Sequence, residues 1–146
     1  AVADQIDLVY GPLVDVKEFP ENVDVTLVEG AVSSEEDLHK LKVVRQHSRI
    51  VVALGDCAVT SNVPSMRNAY KVHTLFDRAY IENASAHQQY PVEGVPPLLP
   101  KARPLHEYVK VDVHVPGCPP SAGLILSALG SLLAGEIPEL TNVRFG

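Results

Sequence analysis

The apolar residues of this chain recur with two different periods, which predict strands alternating with helices. Short runs rich in β-branched residues predict strands at residues 6–10, 23–28, 49–54 and 109–115. The third of these runs is apolar without interruption, which is typical of a strand buried on both faces of a parallel sheet. Apolar residues three or four positions apart predict helices that follow residues 33 and 121, and a further helix is predicted over 72–86.

Local signals place the ends of two of these helices. Ser33 and Glu36 form the pattern of a capping box, so a helix is predicted from there to about residue 47. Ser121 is predicted to cap the last helix, and Gly135 to end it. Strands that alternate with helices predict an α/β fold, an open, flavodoxin-like parallel sheet with helices on both faces.

Residues 88–107 have a different composition, because five prolines fall within them. Such a segment is predicted to be neither a helix nor a central strand. A loop of this length in one domain usually has a role, such as covering a site or wrapping a partner.

Composition and charge exclude several classes of protein. The 146 residues are predicted to form one domain, and 46% of them are hydrophobic, enough for a core. A net charge of −6 without a dense basic run argues against nucleic acid as a partner. No apolar stretch is long enough to be a transmembrane segment, and no glycine-rich phosphate loop predicts a nucleotide site in this chain.

Three residues capable of metal or proton chemistry each directly follow a predicted strand: Glu29, Cys57 and Cys118. The carboxyl ends of parallel strands meet at one edge of a sheet, so these side chains are predicted to converge. Cys57 is either a small buried hydrophobic residue at a turn or a metal ligand. Cys118 lies in the proline-rich segment 116–120, whose stiffness is typical of a cluster ligand. A disulfide between the two cysteines is the third interpretation, and a cytosolic location disfavours it.

The remaining polar candidates are weaker. Glu29 either caps the backbone that follows it or lies beside a cluster as a carboxylate, and the sequence favours neither. Asp56 is interpreted as a turn residue. Residues 65–68 form either a solvated loop or a docking surface, and the six histidines lack the spacing of metal ligands.

Several segments resemble one protein superfamily in their residues, order and spacing. Residues 28–36 (VEGAVSSEE), 55–59 (GDCAV) and 115–121 (VPGCPPS) resemble the small subunits of nickel–iron hydrogenases and the related 20 kDa-type subunit of respiratory complex I. Residues 63–68 (VPSMRN) and 103–113 are most similar to the soluble, bidirectional NAD-reducing hydrogenases. The resemblance covers essentially the whole chain.

The resemblance implies a proximal [4Fe–4S] cluster held by four cysteines. Cys57 and Cys118 match two of them, while the Cys-x-x-Cys segment that supplies the others has no counterpart in this sequence. The single domain, residues 1–146, is therefore expected to be N-terminally incomplete, with its central first strand and two ligands upstream. Residues 1–5 look like the end of the first helix, which makes the strand predicted at 6–10 the second of the sheet.

The resemblance also implies a role. A cytoplasmic complex is expected, in which the cluster takes electrons from a nickel–iron centre in a hydrogenase large subunit. The electrons then pass to FMN and NAD in diaphorase-type flavin and iron–sulfur subunits. FMN binding by this chain itself is supported by no residue. The alternatives are a complex I-type quinone-reductase subunit and a non-redox, flavodoxin-like scaffold module with structural cysteines.

Overall fold

The computed structural model describes residues 2–140 and 143–145 of the chain. The strands are β1 (Val23–Glu29), β2 (Val32–Ser34), β3 (Ser48–Leu54), β4 (Leu98–Arg103) and β5 (Val113–Val115). The α-helices are α1 (Glu35–His47), α2 (Asp56–Thr60), α3 (Val72–Phe76) and α4 (Ala122–Leu133). Short 3₁₀ helices form at Val2–Gln5, Val63–Ala69 and Leu105–Glu107, and a π-helical turn at Asp77–Glu82. None of the described helices combines the length and apolarity that crossing a membrane requires.

The central layer is a parallel sheet of three strands in the order β1-β3-β5. Side chains alternate across the middle strand, so β3 contributes to two cores. Ala53 packs with Leu41 of α1 and Ala58 of α2 on one face, and Val52 packs with Ala128 of α4 on the other. The predicted α/β class, an open flavodoxin-like parallel sheet with helices on both faces, is confirmed.

A second, smaller sheet pairs β2 with β4 in antiparallel orientation. The sequence did not predict this ribbon. The exclusion of an α-helix and of a central strand from residues 88–107 is correct, although the segment ends in one 3₁₀ turn at Leu105–Glu107. β4 contains Pro100, which lacks an N–H, and it pairs with β2 alone among the described strands, through an irregular register. A strand is therefore compatible with the proline-rich composition because it lies at an edge.

The strand predicted at residues 6–10 is wrong for the structure as described: none of these residues is in a strand. Ile6, Leu8 and Val9 are 40%, 63% and 46% exposed. A β-branched run forms a strand only when a neighbour completes its hydrogen bonds, and β1 pairs only with β3 in the described part of the chain.

The last strand is also shorter than predicted, 113–115 rather than 109–115, because Asp112 turns its carboxylate to the backbone of β3.

Two helix starts differ in their agreement with the sequence. The capping box of α1 forms one residue later than predicted: Ser34 is the N-cap and Asp37 closes the box, although Ser33 also donates to Asp37. Burial raises the pKa of Asp37, but its hydrogen bonds from both serines outweigh burial and lower that pKa.

The cap at Ser121 is as predicted, since its hydroxyl accepts from the Leu124 N–H. The helix predicted over 72–86 is α-helical only to residue 76, and the π-helical turn Asp77–Glu82 follows it directly.

A part-buried ion pair fixes the amino-terminal side of the central strand. Arg45 of α1 lies 2.5 Å from Asp112, whose carboxylate also accepts the Val51 N–H at 2.9 Å and lies 2.9 Å from the ammonium of Lys110. Burial raises the pKa of the Asp112 carboxyl. The hydrogen bonds from Val51, Arg45 and Lys110 outweigh burial and lower that pKa to about 2.

We expect Asp112→Asn to lower the free energy of unfolding at pH 7 by about 2 kcal/mol, from the pKa difference between 3.8 and about 2. The folded-state pKa is depressed, so this contribution is complete above pH 4 and is lost as the pH falls toward 2. Urea unfolding of the purified full-length protein at pH 7 and near pH 3 should show, at the lower pH, about half of the difference between variant and wild type seen at pH 7. The matched control is Asp24→Asn, whose carboxylate pairs with Arg49 in solvent and should change stability by less than about 1 kcal/mol.

Candidate functional site

The two cysteines follow the carboxyl ends of neighbouring parallel strands with the same offset. Leu54 of β3 is in register with Val115 of β5, and each is followed three residues later by a cysteine, Cys57 and Cys118. Glu29, at the end of β1, is in register with Leu54. The structure therefore brings all three predicted site residues to one edge of the sheet, which is the predicted placement.

Hydrogen bonds directly join the two cysteine turns, residues 55–57 after β3 and residues 116–118 after β5. The Gly55 N–H donates to the Val115 carbonyl at 2.7 Å, which extends the β3–β5 pairing one step beyond the strands. The Asp56 N–H then donates to the Gly117 carbonyl at 2.9 Å, and the Gly117 N–H donates to the Asp56 carboxylate at 2.5 Å. The residues immediately before Cys57 and Cys118 are thus bonded to each other in both directions.

The backbone of the second turn requires glycine at position 117. Its φ of +134° lies in a region that residues with a side chain rarely adopt. A Cβ added there would lie 2.6 Å from the Cα of Pro120 and 2.8 Å from its nitrogen, both of them backbone atoms. The Cys118–Pro119 peptide bond is cis. The close approach of backbone to backbone explains why position 117 is a glycine.

Both thiols are free, so the disulfide interpretation is wrong for this structure. Cys57 lies in the first turn of α2 and is half-buried, which sets it apart from a fully enclosed hydrophobic residue. Cys118 is exposed and lines an open cleft of about 700 Å³ together with Ser121, Leu124 and Arg144. A cysteine turned toward an open cleft is available to a ligand.

The donor set fits half of an iron–sulfur site. A [4Fe–4S] cluster takes four thiolates, and this chain contains two cysteines, on turns that are hydrogen-bonded to each other. Nowhere in residues 2–140 and 143–145 do three His, Cys, Asp or Glu side chains converge on a common metal position. The two thiols are thus suited to be two ligands of a cluster that is completed by others.

Glu29 is on the correct edge but is exposed. Its place at the end of the neighbouring strand is compatible with a carboxylate near a cluster, and that role stays a prediction. The sequence predicts only a turn residue at Asp56, whereas the structure buries Asp56 to 2% exposure between the two cysteine turns. The equal offset of Gly-Asp-Cys and Pro-Gly-Cys from their strands is the sequence signal that places Asp56 beside Gly117.

Two consecutive side chains, those of Arg67 and Asn68, attach the segment after Cys57 to the rest of the fold. The interpretation of residues 65–68 as a solvated loop is therefore wrong for these two residues. Arg67 donates to the carbonyls of Ser33 and Leu99, each at 3.0 Å. Asn68 accepts the Ala102 N–H at 2.7 Å and donates to the Ala102 carbonyl at 2.8 Å. Arg67 and Asn68 therefore anchor this segment to the β2–β4 ribbon, while Met66 beside them is 73% exposed.

We expect Asn68→Ala to destabilise the protein by about 1–3 kcal/mol, because the buried N–H of Ala102 loses its acceptor. Thermal unfolding of the full-length protein measures the change. Asn83→Ala is the matched control, since Asn83 is exposed and its truncation should leave the transition nearly unchanged. Equal destabilisation by the two variants would contradict the anchoring role.

The histidines, to which the sequence assigned no role, include one close pair. The ring centroids of His106 and His114 lie 5.8 Å apart in an edge-to-face arrangement. Burial lowers the pKa of His114, and the neighbouring His106 lowers it further because a second positive charge there is unfavourable.

The chain matches known proteins along most of its length. Residues 1–132 match the family described as NADH ubiquinone oxidoreductase, 20 Kd subunit. A subunit of the vhu-type F420-non-reducing hydrogenase of Methanocaldococcus jannaschii is 38% identical over 141 residues, covering 95% of this chain and 49% of that protein. The delta subunit of the NAD-reducing hydrogenase HoxS of Cupriavidus necator is 35% identical over 152 residues, covering 95% and 70%.

The fold matches a solved structure of the same kind. A crystal structure of an NAD+-reducing [NiFe]-hydrogenase in the H2-reduced state contains a chain that superposes with a TM-score of 0.93 at 33% identity, covering 99% of this chain and 84% of that one. This chain spans about half the length of the Methanocaldococcus jannaschii relative, 49%. The chain belongs to the NADH:ubiquinone oxidoreductase 20 kDa subunit family, in the group of nickel–iron hydrogenase small subunits that includes the NAD-reducing enzyme.

Proposed function

We propose that this chain is the electron-transfer subunit of an NAD-coupled nickel–iron hydrogenase, with Cys57 and Cys118 as two ligands of one proximal [4Fe–4S] cluster. The observation that carries the proposal is the pair of cysteine turns, hydrogen-bonded to each other at the carboxyl edge of the sheet. The sequence contains two cysteines, so the other two ligands are proposed to come from a segment outside residues 1–146. This segment is also proposed to complete the domain.

The cluster, when bound, supplies one-electron transfer without a change in the protein's covalent structure. The chain's own part is to hold two thiolates at a fixed separation. Gly117 permits the tight second turn, and the backbone bond from Gly55 to Val115 ties the first turn to the second. Ligands held by such short loops lose little freedom when a cluster binds, which favours its retention.

The partners proposed are a hydrogenase large subunit with the nickel–iron centre and diaphorase-type flavin and iron–sulfur subunits, in a cytoplasmic complex. Large apolar side chains in the segment that follows α2 and in the proline-rich segment are exposed, which is compatible with burial against partner subunits. Met66 and Tyr70 are 73% and 60% exposed, and Val92 is 81% exposed. An obligate interface of this kind buries more than about 2,000 Å² in total.

A complex I-type quinone-reductase subunit is the second candidate, because the matching family is described by that enzyme. The similarity to hydrogenase subunits favours the first candidate: the delta subunit of an NAD-reducing hydrogenase is 35% identical, and a chain of the solved NAD+-reducing enzyme aligns over 99% of this chain. A non-redox scaffold module is the third, and a finding of no iron in the native protein would select it.

The function is tested by purifying the full-length protein with its partners under anaerobic conditions. The complex should reduce NAD+ with H2 as the electron donor, and the rate should depend on the presence of this subunit. Benzyl viologen provides the control acceptor, since it reports hydrogen oxidation without the NAD module. Oxidation of NADH by quinone with no uptake of H2 would assign the chain to the quinone-reductase group instead.

A further inference from the structure

We propose that Asp56 is a positioning residue, whose carboxylate sets the separation of the Cys57 and Cys118 turns and thereby the geometry of the cluster they hold. The inference rests on the proposed function, since it assigns a role toward the same cluster. The role proposed for Asp56 is to act through the two turns and not as a ligand of iron.

Asp56 makes two hydrogen bonds to Gly117, one through its backbone and one through its side chain, and we call this pair of bonds the clamp. Its N–H donates to the Gly117 carbonyl at 2.9 Å, and its carboxylate accepts the Gly117 N–H at 2.5 Å. Asp56 immediately precedes Cys57, and Gly117 immediately precedes Cys118. The clamp therefore joins the two turns one residue away from each thiol, closer to the ligands than any other hydrogen bond described between these turns.

A side chain is needed at this point because the parallel ladder has ended. The strands stop at Leu54 and Val115, and the Gly55–Val115 bond is the last that continues their pattern. Pro116 has no N–H, and Gly117 turns away at a φ of +134°. The Asp56 carboxylate supplies an acceptor to the Gly117 N–H, which is buried and unfavourable to leave unpaired.

The clamp has a consequence for the cluster that differs from general stability. If Asp56 is truncated, its N–H still donates to the Gly117 carbonyl, but the Gly117 N–H loses its acceptor, so the two turns keep only one of their two hydrogen bonds at this point. The two thiols then sample a range of separations, so fewer clusters assemble and those that do assemble are heterogeneous. The reduction potential of a cluster depends on the charge, hydrogen bonds and exposure around it, so a shift in potential accompanies the change in geometry.

The test compares Asp56→Ala with Asp56→Asn in the full-length complex. Asparagine keeps an acceptor oxygen at the same position and alanine removes it. Asp112→Ala is the matched control, because Asp112 also accepts a backbone N–H, that of Val51, but far from the cysteine turns along β3. Iron and sulfide content, the EPR spectrum of the reduced cluster and its potential are measured for each variant, beside the melting temperature.

We expect Asp56→Ala to lower cluster occupancy several-fold and to broaden and shift the EPR signal of the remainder, with iron content and line shape restored in Asp56→Asn. Asp112→Ala should lower the melting temperature and leave the EPR signal unchanged. The positioning role is overturned if Asp56→Ala has wild-type iron and EPR, or if Asp56→Asn is as defective as Asp56→Ala. A wild-type complex with no cluster in this subunit overturns the proposed function together with this inference.

Discussion

Replacing Cys118 with serine is expected to remove nearly all of the [4Fe–4S] cluster of this subunit and, with it, H2-dependent reduction of NAD+ by the complex. The thiolate is the ligand that iron–sulfur clusters take, and a serine hydroxyl in the same turn is a far weaker donor at neutral pH. Cys57→Ser is expected to have the same effect, because we propose that both thiols bind one cluster.

The measurement is the iron and sulfide content of the full-length complex, together with its EPR spectrum and its NAD+ reduction rate. Ser127→Ala is the control: this exposed serine of α4 lines the same cleft as Cys118 and should keep full iron content and activity. Loss of iron and loss of NAD+ reduction should go together in both cysteine variants. Normal iron content and activity in Cys118→Ser would contradict the ligand assignment.

The second large effect is expected from Gly117→Ala, which should destabilise the subunit by about 3 kcal/mol or more. The new methyl group would lie 2.6 Å from the Cα of Pro120, and the backbone φ of +134° is unfavourable for alanine. Neither strain is relieved by a side-chain rotation, since the opposing atoms belong to the backbone. The turn must therefore shift, and Cys118 with it.

Gly123→Ala is the matched control for this variant. Gly123 lies in α4, and beyond its chain neighbours and the backbone of its own helix no described atom lies within 4 Å of the position its Cβ would take. The substitution should stabilise the helix by about 0.5–1 kcal/mol. Thermal unfolding and cluster occupancy of the two full-length variants are compared; a Gly117→Ala protein that melts and binds iron like Gly123→Ala would contradict the account of the turn.

The elements with strong local patterns were predictable from the sequence. The uninterrupted apolar run of β3 reflects its burial on both faces, and the serine at position 121 caps α4 as predicted. The cap of α1 was misplaced by one residue because Ser33 and Ser34 are followed by acidic residues at equivalent spacings. Such a choice depends on where the backbone enters the helix, and composition alone does not determine it.

The elements that depend on distant partners were not predictable. Residues 6–10 have the composition of a strand, but their neighbour in a sheet is not supplied by the described residues. β2 has three residues and β4 contains Pro100, so neither carries a clear strand pattern. The placement of Cys57 and Cys118 at one edge of the sheet could be predicted from the parallel topology. The role proposed for Asp56 could not, because it depends on a hydrogen bond to Gly117, 61 residues away.

The central claim is that Cys57 and Cys118 bind one cluster, and thiol alkylation measures it most directly. The anaerobic full-length complex is treated with iodoacetamide before and after a chelator and an oxidant remove its iron, and modified cysteines are counted by mass spectrometry. The account predicts that both thiols are protected in the iron-loaded complex, although Cys118 is exposed in this chain, and that both become reactive together as iron is lost. Alkylation of Cys118 while the iron content stays complete would contradict it.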